Sequence, residues 1–151
     1  MKRFHVHVAV ADLAANIIFY RTVFGEPPTM IKTDYAKWVL EDPPLHFAIS
    51  QRGTAPGLDH FGIQVDSDEE LSVLREKVGR AEIAAFVQPD ATCCYARSDK
   101  YRITDPQGIS WETFHSLGEA PLFGADNSKQ ACCSPQAKEK VAGKSVANTC
   151  C

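Results

Sequence analysis

Residues 59–65 read Asp-His-Phe-Gly-Ile-Gln-Val, and they set His60 five residues before Val65, just as His5 stands five residues before Val10. Alternation makes residues 4–10 a strand with Phe4, Val6, Val8 and Val10 on one face and His5, His7 and Ala9 on the other. Each strand is followed by a capped helix. Asp12 caps a stripe of Leu13, Ile17, Tyr20 and Phe24 that Gly25 and Pro27-Pro28 stop, and Ser67 caps a stripe of Leu71, Leu74 and Val78. Short strands are expected at 29–33, 36–40 and 45–50 after the first helix, and at 83–87, 94–97, 101–104 and 109–114 after the second. The last strand of each set follows an Asp-Pro turn, Asp42-Pro43 or Asp105-Pro106. A repeat constrains a fold more tightly than propensities do. The expected class is therefore α+β, built from two βαβββ modules at about 1–57 and 58–117 that face each other across one cleft.

The length of 151 residues, with 44% hydrophobic and 23% charged, suits that domain plus an extension. After His115 the large apolar residues thin to Leu117, Leu122, Phe123, Val141 and Val146, a composition unable to offset chain entropy by burial. Residues 118–151 are thus expected to be a flexible tail. A net charge of −3 offers no basic stripe for nucleic acid. No apolar run is long enough to span a membrane and the start is too polar for a signal-peptide core, so the expectation is a cytoplasmic protein without a membrane partner. Monomer and homodimer are both open, as is exchange of modules between chains.

Six cysteines stand as three adjacent pairs, Cys93-Cys94, Cys132-Cys133 and Cys150-Cys151. Neighbouring Cα atoms lie about 3.8 Å apart, less than a bridge prefers, so a disulfide within a pair is disfavoured. Structural zinc sites want cysteines two to four residues apart. Adjacent thiolates instead suit a small chelate around a softer centre such as trivalent arsenic or cadmium.

If the modules face each other, His5, His60 and Glu112 converge. Glu112 follows Trp111 in an apolar strand, where a carboxylate must be paired or bound to a metal. Two imidazoles and one carboxylate leave positions open on an octahedral ion, the arrangement of non-haem Fe(II) oxygenases, although Mn(II), Co(II) or Ni(II) would be accepted too. The Asp-Pro turns align Glu112 with Ile49, which cannot coordinate, so three protein ligands are favoured over four. His7 is the rival of His5, whereas His46 and His115 match no repeat position and read as ordinary.

The stretches HVHVAVADLAANIIFY (5–20), DHFGIQV (59–65) and ITDPQGISWE (103–112) resemble the glyoxalase/bleomycin-resistance, or vicinal-oxygen-chelate, superfamily. TCCYARSDKYRITDPQGISWE (92–112) resembles more narrowly its ArsI/CadI group, over about residues 1–117. The resemblance picks His5 over His7. It implies an Fe(II)-dependent, O2-consuming dioxygenase, a C–As lyase that cleaves trivalent organoarsenicals to arsenite, with the metal on His5, His60 and Glu112. Cys93 and Cys94 would bind arsenic as a dithiolate, with Arg97 and Lys100 as candidates to lower their pKa. Cys132, Cys133, Cys150 and Cys151 would act as tail scavengers that raise local substrate concentration. The alternatives are a CadI-like buffer of cadmium or arsenic without turnover, and another glyoxalase-type metalloenzyme.

Overall fold

The computed structural model describes residues 2–124. Its elements run β1 (Arg3–Ala9), α1 (Leu13–Phe24), β2 (Met30–Lys32), β3 (Tyr35–Glu41) and β4 (Pro44–Ser50). They continue with β5 (Gly57–Val65), α2 (Asp68–Arg80), β6 (Phe86–Cys93), β7 (Ala96–Thr104) and β8 (Ser110–Glu119). This is the βαβββ order twice over. The eight strands form one curled mixed sheet in the order β2-β3-β4-β1-β5-β8-β7-β6. The first strands of the two halves are neighbours at its centre.

Both helices start as their caps require. Asp12 accepts the Ala15 amide at 2.9 Å and Ser67 accepts that of Glu70 at 3.3 Å, satisfying donors that have no partner within the helix. Gly25, at φ 75°, closes α1 in the left-handed conformation that glycine tolerates best. Leu13, Ile17, Tyr20 and Phe24 bring one face of α1 onto Val6, Val8, Trp38, Phe47 and Ile49. That packing covers one side of the sheet and leaves the histidine-bearing side for the site.

β1 and β5 pair antiparallel with Val6 opposite Phe61, which places His7 opposite His60 and His5 opposite Gly62. A local two-fold through the Val6–Phe61 pair therefore exchanges His5 with His60. The outer pairings obey the same symmetry, for His5 lies beside His46 in the parallel β1–β4 ladder and His60 beside Ser110 in β5–β8. Glu112, two residues past Ser110, corresponds to Ala48. The expected counterpart, Ile49, lies one residue off and points into the α1 core. The conclusion of three ligands survives this correction, since alanine cannot coordinate either.

Two further expectations are corrected. The strands read at 83–87 and 94–97 are replaced by β6 and a continuous β7, joined by the two-residue turn Cys94-Tyr95. The end of the fold also lies later than residue 117. β8 runs to Glu119, and Ala120 and Phe123 are buried, because Phe123 packs with Tyr35, Ala48 and Cys93.

Candidate active site

His5, His60 and Glu112 bring their ligand atoms within 4.8 Å of one another, all from buried side chains. The two Nε2 atoms are 3.0 Å apart, and His60 Nε2 lies 3.5 Å from Glu112 Oε2. Ligand bonds of about 2.1 Å at right angles would separate two donor atoms by about 3.0 Å, so the triad has the spacing of adjacent corners around one ion.

The surrounding groups prepare each donor. His60 Nδ1 lies 2.6 Å from Asp59 Oδ1, to which its N–H donates, so Nε2 is the nitrogen turned toward the triad. His5 Nδ1 lies 3.0 Å from the His46 carbonyl oxygen and 2.8 Å from His46 Nδ1; donation there leaves Nε2 available. With no metal bound, a His60 pKa of about 9 puts a proton on Nε2 between His5 Nε2 and Glu112 Oε2, the place that a metal cation would take. On Glu112, Oε1 meets Lys100 Nζ at 2.9 Å and Arg102 NH2 at 2.8 Å, while Oε2 faces His60. Only one carboxylate oxygen is thereby directed at the triad.

Electrostatics follow from this packing. Burial holds His5 well below the usual imidazole range, reinforced by the adjacent His46 and His60. Burial opposes charge on His60 too, but hydrogen bonds to Asp59 and Glu112 outweigh it and raise its pKa to about 9. Burial alone would raise the Glu112 carboxyl, yet Lys100 and Arg102 drive it well below the carboxylate range. Glu112 is therefore ionised, as a metal ligand must be.

Gly62 explains why the triad closes. A Cβ at this position would run into the Glu112 carbonyl, so only glycine lets β5 and β8 approach where His60 and Glu112 must meet.

Cys93 and Cys94 line the same cavity as His5, His7, His46, Lys100 and Glu112. Cys93 is the last residue of β6 and is 5% exposed, and its Sγ is 3.2 Å from that of Cys94. A centre bonded to both sulfurs at about 2.3 Å and a right angle needs about 3.3 Å between them, so the pair is set to chelate. The turn that makes this possible is unusual. Cys94 and Tyr95 both have left-handed backbones, φ 58° and 60°, as a type I′ hairpin demands but as non-glycine residues resist by about 1 to 2 kcal/mol each. Such strain is characteristic of functional sites.

The expected helpers of the thiols divide. Arg97 turns away to exposed Asp90 at 2.7 Å, whereas Lys100 lines the cavity and engages Glu112. Cys132, Cys133, Cys150 and Cys151 lie outside the described residues. Sequence reasoning missed His46, which β1–β4 pairing sets behind His5, and gave His7 only a rival's role. His7 is buried, with Nε2 3.0 Å from Ser50 Oγ, and it forms with Asp59 and His60 a second cluster of ligand-type side chains.

Residues 2–113 match the family model described as the Glyoxalase/Bleomycin resistance protein/Dioxygenase superfamily. The chain is 41% identical, over 88% of its length and 91% of the relative's, to a probable trivalent organoarsenical cleaving enzyme of Bacillus subtilis. It is 30% identical to the cadmium-induced protein CadI of Mycobacterium bovis, over 95% of this chain and all of that one (100%). Among solved structures, an extradiol ring-cleaving dioxygenase from B. fuscum superposes with a TM-score of 0.58 at 17% identity. That match covers 77% of this chain and 32% of the dioxygenase, a likeness of fold.

Proposed function

Because the chain belongs to the glyoxalase/bleomycin resistance/dioxygenase superfamily, we propose that it is a non-haem Fe(II) dioxygenase that cleaves the carbon–arsenic bond of trivalent organoarsenicals, releasing arsenite. The observation that carries this reading is that one cavity is lined both by the Cys93-Cys94 pair and by His5 and Glu112. The organoarsenical-cleaving relative supports the substrate class.

His5, His60 and Glu112 would hold the ion, which when bound supplies activation of O2 beside the substrate. Every other role falls to the protein. A trivalent arsenical bearing two hydroxyls exchanges them for the sulfurs of Cys93 and Cys94, with the two thiol protons leaving in two waters and arsenic remaining trivalent. Two As–S bonds fix the third substituent, the organic group, relative to the triad, so that an encounter becomes an intramolecular step. Asp59 and the His46 carbonyl keep both imidazoles turned Nε2-inward. Lys100 and Arg102 keep Glu112 charged and single-ended. The tail pairs would capture arsenicals without entering the chemistry. A reducing cytoplasm suits this use of thiols. No helix among the described residues is long and apolar enough to cross a membrane.

The experiment that tests the reading combines two variants. Glu112→Ala should abolish product while arsenical still binds, and Cys93→Ser should lose turnover at low substrate while metal still binds. Full turnover in either variant contradicts the proposal. The cadmium-induced relative favours a second reading, sequestration by the thiols alone. That reading predicts stoichiometric binding of Cd(II) or arsenical and no cleaved product.

A further inference from the structure

We infer that the segment after β8, residues 120–124, is a strap that holds the Cys94-Tyr95 turn in its chelating shape, with Phe123 as its positioning residue. The inference rests on the reading of Cys93-Cys94 as the arsenical clamp. Two main-chain hydrogen bonds join strap and turn. The Cys94 amide donates to the Phe123 carbonyl, pairing Cys93 with Gly124 in an isolated bridge, and the Ala120 amide donates to the Tyr95 carbonyl at 2.8 Å. A left-handed turn without glycine is held only if its surroundings over-determine it, and these links do so from the side opposite the β6–β7 ladder.

The strap is itself anchored to the first half of the chain. The Phe123 ring stands edge-on to Tyr35 and Tyr95 at 5.9 and 5.7 Å, and the Arg52 guanidinium lies 3.6 Å from its centroid. Arg52 also meets Asp34 Oδ2 at 2.7 Å, while the Tyr95 hydroxyl donates to Asp34 Oδ1 at 2.5 Å. Asp34 and Arg52 thus grip both the strap and the turn. The family match covers residues 2–113, and the strap lies beyond the matched residues. Preorganising both sulfurs at 3.2 Å removes an ordering cost from arsenical binding.

The test uses full-length protein with the four tail cysteines replaced by serine, so that Cys93 and Cys94 alone present a thiol pair. Phenylarsine oxide affinity is measured by competition with a small dithiol, and Co(II) affinity by absorbance. Phe123→Ala should weaken the arsenical by about tenfold or more with Co(II) affinity unchanged. Phe123→Leu should recover part of the loss, and Arg52→Met should shift affinity in the same direction by less. Arsenical affinity equal to the parent's in Phe123→Ala overturns the strap. If Phe123→Ala loses Co(II) as well, the fold has failed and Arg52→Met decides by the same criterion. If the parent binds no arsenical, or Cys93→Ser changes nothing, the clamp reading itself fails and the strap's role fails with it.

Discussion

His5 and His60, 55 residues apart in the chain, face each other Nε2 to Nε2 at 3.0 Å. The separation equals the shift that maps one half of the chain onto the other, since the antiparallel pair Val6–Phe61 marks the local two-fold. The candidate metal site is therefore a product of the repeat, with Glu112 added on one side and Ala48 at the corresponding place on the other.

Gly62→Ala tests this closure. The added methyl must displace the Glu112 main chain, so stability should fall by about 1 to 3 kcal/mol, as overpacking usually demands. Metal affinity should fall with it. A melting temperature and a Co(II) titration matching the parent's would mean that β5 and β8 adjust freely.

The groups behind the imidazoles should rank in a definite order. Asp59→Asn removes a charged acceptor from His60 and should weaken metal binding by about 10- to 100-fold. His46→Phe leaves the carbonyl that accepts from His5 Nδ1, so its effect should be at most about tenfold. The reverse order in a metal titration would show that the His46 ring, not its main chain, orients His5.

The metal-free protein should be most stable near the unperturbed histidine pKa of about 6.5. Burial lowers His46 to about 3 and His7 to about 4, so the unfolded chain takes up protons first and stability falls as pH drops from about 6.5 toward those values. His60 acts oppositely. Its pKa, raised to about 9 against the pull of burial, gives stability that is complete below about 6.5 and lost as pH rises through about 9. Urea midpoints at about pH 5, 6.5 and 8.5 check this; a flat profile would contradict it.

How much of this was legible in the sequence follows from the physics of each element. The histidine spacing, both helix caps and the Asp-Pro turns are local signals, and they yield the two-module order. The Cys94-Tyr95 turn gives no such signal, since it lacks the Asn-Gly or Asp-Gly that a type I′ hairpin prefers. Nothing in residues 94–97 therefore separates them from a strand. β4 is buried from His46 to Ser50 on both faces, so alternation could not show that His46 faces the cavity. Ala120 and Phe123 lie in a stretch with no period, yet Ala120 is buried with its amide on the Tyr95 carbonyl and Phe123 packs with Tyr35 and Cys93. Lys100 and Arg102 alternate along β7 as a solvated face would, yet both are buried against Glu112.

Cys94→Ser should leave one sulfur and remove the chelate. Phenylarsine oxide should then dissociate far faster from protein lacking the tail thiols, while Co(II) binding at the triad is retained. Equal dissociation rates would mean that the 3.2 Å sulfur pair is not the clamp.

Arsenical speciation decides the matter of function. A trivalent methyl- or phenyl-arsenical is incubated with the full-length protein and Fe(II), in air and under argon, and the arsenic species are separated by chromatography. The expected result is inorganic arsenite in air, none under argon and none with Glu112→Ala. Arsenite formed equally under argon would contradict the dioxygenase mechanism, and unaltered arsenical bound to protein in air would contradict carbon–arsenic cleavage itself.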